Sequence, residues 1–174
     1  MELKRVVVTG MGALTPLGNT AEESWENLKA GKSGAGPITH FDASQFKTQF
    51  ACEVKGFNPN DYIDRKEARK MDLYTQYALA AAKMAIEDSG MNLEAEDKNE
   101  IGVVLGVGIG GIKTFEEEAG NYAINGPQLG PKFNPFFIPK MIADIASGHI
   151  SIQYGFHGEL HHNICVRIFI KRIG

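Results

Sequence analysis

The chain has 174 residues, 43% of them apolar, and 18 basic against 21 acidic residues give it a net charge of −3. This composition supports one substantial core, carries too little positive charge for a nucleic-acid footprint, and contains no apolar stretch of the roughly 18 to 20 residues that a membrane-spanning helix needs. The apolar run in "MELKRVVVTG" is too short for a signal peptide, so a cytoplasmic location is expected.

In chain order, "LKRVVVTG" is a β-branched run closed by glycine and predicts a buried strand. In "GALTPLGNTAEESWENLKAGKSG" a loop leads to a helix, with Asn19 or Thr20 as N-cap, acids in the first turn and Gly31 as the stop. Residues 38–64 mix short β-like runs with turn residues and predict loops plus an edge strand or hairpin. The alanine-rich segment from Arg65 to Ser89 has apolar residues at helical spacing and predicts one long buried helix capped by Gly90. "EIGVVLGVGIGG" predicts a second buried strand and "IKTFEEEAGNYAIN" another helix, with "NYAINGPQLGPKFNPFF" read as loop. The segment "FNPFFIPKMIADIASGHISIQYG" predicts a proline-punctuated loop, then a helix and a further strand. Such alternation argues for a layered α/β fold with a mainly parallel sheet.

Gly106, Gly108 and Gly111 spell G-x-G-x-x-G between a strand and a helix, the local context of a dinucleotide-binding turn. The second strand with an acidic end that such a site needs is missing, so the glycines read better as close backbone packing, and no Walker lysine follows them. Of the two cysteines, Cys52 reads as a buried thiol, and no disulfide framework is expected. The adjacent His161 and His162 point apart on a strand or helix and have no third ligand at metal spacing.

Together, "RVVVTGMGALTPLGNTAEESWENLKAGKSG", "RKEARKMD", "IGVVLGVGIGG" and "NPFFIPKMIADIASGHISIQYGFHG" resemble the opening of the elongating, type II β-ketoacyl-acyl-carrier-protein synthases, in the family's order and spacing over residues 4–158. The resemblance implies a layered thiolase-like fold (α-β-α-β-α), of which residues 1–158 form the N-terminal portion. It also implies condensation of acyl and malonyl thioesters on an acyl carrier protein, a homodimer, and no cofactor or metal. By position it places Ile109 and Phe137 along an acyl channel, with ordinary core packing as the competing reading. Lys66, Arg69, Lys70 and Lys132 match a basic patch that meets the acidic carrier protein, with a solvated helix start as the alternative.

Residues 159–174, "ELHHNICVRIFIKRIG", depart from the family, which continues there with small residues around a nucleophilic cysteine at a helix N-terminus, where the helix field lowers the thiol pKa. A set of codons for this stretch, read one base later, encodes "NYTTISACASSSNAL", which resembles the nucleophile segment. The expectation is a frameshifted tail in which Cys165 is no nucleophile. With the family's downstream histidines and lysine also lacking, no catalytic residue is assigned and the chain alone is expected to be inactive. The competing reading is a non-catalytic module for carrier binding or dimerisation. With half of a layered core missing, the helix over 65–89 is also expected to lose part of its packing and expose apolar surface.

Overall fold

A computed structural model of the chain describes residues 6–130, 132–158, 160–163 and 168–172. It divides into two compact units, one of Met1–Asn58 with Lys83–Gly90 and one of Pro59–Ala82 with Met91–Gly174.

In the first unit, helix α1 (Ala21–Lys29) starts where the sequence predicts. The Thr20 side chain accepts the Glu23 N–H, a first-turn amide without a helical partner, at 3.1 Å, while the Glu23 carboxylate reaches back past the cap to the Asn19 N–H at 2.8 Å. Just past the helix end, Gly31 adopts φ +68°. Only one strand falls within 38–64, where an edge strand or hairpin is expected: β2 (Phe50–Cys52) pairs antiparallel with β1 (Ala35–Pro37), which precedes that segment, and the Thr39 N–H and hydroxyl both bind the Glu53 carboxylate, at 2.9 and 2.7 Å.

Two expectations fail in this unit. Residues 6–10 form no strand, and Val6, Val7 and Val8 are 88, 60 and 80% exposed, because no described strand pairs with this run and β-structure comes from ladder partners and a covered face more than from β-branched residues. Cys52 is exposed rather than buried: along β2 only Ala51 faces inward, and side chains alternate faces on a strand, so its neighbours point out.

In the second unit the long helix expected over 65–89 is broken into α2 (Arg65–Ala68) and α3 (Leu73–Asp88), whose last residues belong to the first unit. Asp64 caps α2 by accepting the Lys66 N–H at 2.8 Å, and Asp72 starts α3 by accepting the Thr75 and Gln76 N–H groups on its carbonyl at 3.1 and 3.2 Å. These are the first main-chain bonds of α3, and the Asp72 carboxylate also accepts the Tyr74 N–H at 3.4 Å, the kind of local side-chain bond that favours a helix start over a helix interior. No apolar residue of α3 is exposed, and Leu79, Ala80 and Ala82 are 2% exposed or less. The expected loss of packing on this helix is therefore corrected. Exposed apolar side chains of this unit lie instead on and around the next two helices, at Ile109, Ile112, Phe115, Ile124, Phe136 and Ile138, and further on at Ile152.

Strand β3 (Ile101–Gly106) is buried along almost its whole length, with Val103 fully covered. It is flanked by β4 (Leu160–Asn163), parallel to it, and β5 (Ile168–Arg172), antiparallel, so the sheet is mixed and not mainly parallel. Leu160 stands opposite Val103 in one ladder and Ile170 in the other. Helix α4 (Ile112–Leu129) runs on past Asn125, where a loop was expected. The Asn125 amide donates to Asn121 at 2.6 Å one turn back, the spacing at which helical side chains meet, and Pro127 is tolerated near the end. After α5 (Phe137–Met141) comes α6 (Ile145–Tyr154), which lies against β3; Gly155 ends it at φ +70°, and no strand forms within it. Ala146, Ile150 and Phe156, all at most 1% exposed, complete the core around Val103, each large side chain contributing about 1.5–3 kcal/mol of burial.

Candidate acyl-binding hollow

The glycine turn after β3 borders an apolar hollow in the second unit. Gly110 has φ +90°, a left-handed conformation that favours glycine, and a Cβ there would lie 2.5 Å from the Met141 carbonyl oxygen. A Cβ on Gly111 would lie 2.2 Å from the Lys140 carbonyl oxygen, and the Gly111 N–H donates to the Met141 carbonyl at 3.0 Å. These glycines are spent on bringing two stretches of backbone together, which favours the packing reading of G-x-G-x-x-G over a nucleotide turn.

The close approach leaves a hollow of about 370 Å³ lined by Ile109, Ile112, Phe115, Met141, Ile142 and Ala143. All six are apolar, so the hollow offers van der Waals contact and no acid, base or nucleophile. Ile109, 72% exposed, stands at its edge. Phe137 does not line it but stacks on Phe115, which does, at 6.4 Å between ring centroids, and on Phe133 at 5.6 Å. The structure thus brings the two residues assigned to the channel to one apolar region, Phe137 acting through an intervening ring. Five of the lining residues were not foreseen, although the placement of Ile112 and Phe115, three apart on one helix face, is a signal that amphipathic spacing carries.

The basic residues stand differently. Lys66 and Arg69 are exposed on and just after α2. Lys70 donates to Glu67 at 2.6 Å and lies 6.0 Å from the centre of the Phe136 ring, so part of its charge is already engaged. Lys132 lines a separate notch of about 90 Å³ with Asn121, Tyr122, Asn125, Gly126 and Gly130. His149 is half-buried on α6; burial pushes its pKa below the ordinary imidazole value, partly opposed by the charge of Glu67. Cys165 lies outside the described residues, as do the side chains of His161 and His162 on β4. Among the described residues no group of three or more His, Cys, Asp or Glu side chains is placed to hold a metal ion, and no helix is long and apolar enough to cross a membrane.

Comparison with solved structures places this arrangement in the ketosynthase class, the layered thiolase-like α/β fold. The chain superposes on the ishigamide ketosynthase/chain length factor with a TM-score of 0.81 at 28% identity, covering 90% of this chain and 39% of that one. It also superposes on the ketosynthase of a type II polyketide system, solved in complex with its acyl-carrier protein and bound to the hexaketide, with a TM-score of 0.73 at 25% identity, covering 91% of this chain and 41% of that one. Residues 3–163 match the family "Beta-ketoacyl synthase, N-terminal domain", and the chain belongs to that family. It is 48% identical over 160 residues to 3-oxoacyl-[acyl-carrier-protein] synthase 2 of Vibrio cholerae and 44% identical over 155 residues to the Staphylococcus aureus enzyme of the same name. The chain spans 37% of the length of each of these relatives, and the family match runs to residue 163, a few residues into the segment read as out of family.

Proposed function

We propose that residues 1–158 are the N-terminal portion of a fatty-acid condensing enzyme, a 3-oxoacyl-[acyl-carrier-protein] synthase, and that the apolar hollow beside Ile109 takes the acyl chain. The hollow carries this reading: six apolar side chains and no acid, base or nucleophile suit a hydrocarbon tail, and Ile109 lines it while Phe137 stacks on Phe115 in its wall. Lys66, Arg69 and Lys70, on and just after α2, and Lys132, at its separate notch, are the cations that meet the acidic carrier protein. The family's homodimer and cytoplasmic location belong to the same proposal. Residues 159–174 form an out-of-family tail. Without the small-residue turn that would activate its thiol, Cys165 is not a nucleophile, and the 174-residue chain condenses nothing by itself.

The test is binding, since turnover is not expected. Titration with dodecanoyl-pantetheine is expected to saturate the chain, and Ile109→Trp, which fills the mouth of the hollow, to weaken binding roughly tenfold. Equal binding by the variant would remove the hollow from the account. Exposure of Lys66 and Arg69 also favours a second reading, a non-catalytic carrier-binding module. In that case Lys66→Glu with Arg69→Glu slows association with acyl carrier protein by about tenfold at low salt, as rim charges act mainly on the rate of encounter.

A further inference from the structure

The turn from Asp72 to Tyr74 grips both walls of the hollow. Asp72 is 9% exposed, and its Oδ2 accepts the Thr114 N–H at 3.3 Å and the Thr114 hydroxyl as well. Thr114 sits on α4 between Ile112 and Phe115, two residues of one wall. Two residues beyond Asp72, the Tyr74 hydroxyl donates to the carbonyl of Ile142, a residue of the other wall. The Tyr74 N–H in turn reaches Asp72 Oδ1 at 3.4 Å, so the two grips share one turn. Burial, with the charges of Asp72 and Asp144 adding to it, raises the Tyr74 pKa and keeps the hydroxyl a donor.

We infer that Asp72, Thr114 and Tyr74 are positioning residues that fix the width of the hollow, and through it the length of acyl chain that binds there. The inference rests on the acyl reading given above. An apolar pocket discriminates between chains differing by methylenes only if its walls do not yield. The lining side chains do not supply that stiffness, since Ile109 and Ile112 are 72 and 54% exposed. Hydrogen bonds to a buried carboxylate and to a main-chain carbonyl do, by tying the backbone on which each wall is carried.

The test uses the 174-residue chain, titrated with octanoyl-, dodecanoyl- and hexadecanoyl-pantetheine. Tyr74→Phe deletes one grip, Thr114→Val weakens the other, and Thr114→Ser keeps its hydroxyl. The readout is the hexadecanoyl-to-octanoyl affinity ratio, because general loosening of the fold lowers all affinities together and leaves the ratio in place. Tyr74→Phe and Thr114→Val are each expected to shift the ratio by roughly tenfold toward the longer chain, and Thr114→Ser to retain the wild-type ratio. If Thr114→Val loses its cooperative unfolding transition, Tyr74→Phe decides alone, since it removes a single oxygen. An unchanged ratio in folded Tyr74→Phe, or an equal shift in Thr114→Ser, overturns the inference and leaves the acyl reading standing. Failure of the wild-type chain to bind any of the three thioesters overturns both.

Discussion

Val6–Val8 and Ile101–Leu105 carry the same local signature, an apolar β-branched run closed by glycine, and they end in opposite states. The second is the buried centre of a three-stranded sheet, with ladders on both edges and α6 against it. The first has no described ladder and exposes all three valines. The difference teaches that a strand belongs to its partners as much as to its residues: the run supplies side chains that suit a pleated surface, and only neighbours turn that suitability into hydrogen bonds and burial.

The largest expected effect tests that contrast directly. Leu105→Ala, at a site 4% exposed, is expected to lower stability by about 2–5 kcal/mol, whereas Val7→Ala, at a site 60% exposed, is expected to stay within about 0.5 kcal/mol of wild type. Urea denaturation of both variants measures the pair, and equal losses would show that residues 6–8 are as much a part of the core as β3.

A second test concerns the strands that cover the edges of β3. Residues 160–163 and 168–172 pair with it, yet they lie within the segment read as outside the family. Limited trypsin digestion is expected to cut after Lys171 and Arg172 at least about tenfold faster than after Lys83 in α3, because terminal segments open before buried helices do. Resistance of the two terminal sites, with cleavage in α3 first, would mean that the tail is integrated into the sheet and that its pairing resembles that of a native strand.

The smallest effect lies on α6, the helix that covers β3. Burial lowers the His149 pKa in the folded chain, so as pH falls the unfolded chain takes up this proton first. Above the ordinary imidazole value of about 6.5 His149 then leaves stability unchanged; below it the folded state loses ground until pH passes the folded value. Thermal unfolding at successive pH values is expected to show this decline, reduced in His149→Gln. A steeper decline in the variant would reverse the assigned sign.

Much of this was legible in the residues. The start of α1 at Asn19 or Thr20, a short strand within 38–64, the burial of β3 and the family itself follow from local chemistry and motif order. What was not legible depended on partners distant in sequence. Asp72 stands where the expected helix breaks, its side chain serving Thr114, 42 residues on, and the Tyr74 N–H of the turn that starts α3. Helix α4 outruns its expected end at Asn125, sustained by a side-chain bond one turn long that composition does not reveal. For the hollow, Ile109 and Phe137 were named, but its far wall at 141–143 approaches only because Gly110 and Gly111 let backbone meet backbone.

On the proposed reading, the family's sequence runs through residue 158 and leaves its frame after it. The most direct measurement compares the 174-residue chain with the product of the same gene restored by one base after codon 158, each incubated with a thiol-directed acyl analogue and with malonyl-carrier protein. The account predicts that the restored protein carries a stable acyl adduct on a cysteine in "SACASS" and releases carbon dioxide, while the 174-residue chain, with Cys165 among Ile164, Val166 and Arg167, does neither. An acyl adduct at Cys165 of the unrestored chain, or no cysteine in that segment of the restored one, would contradict it.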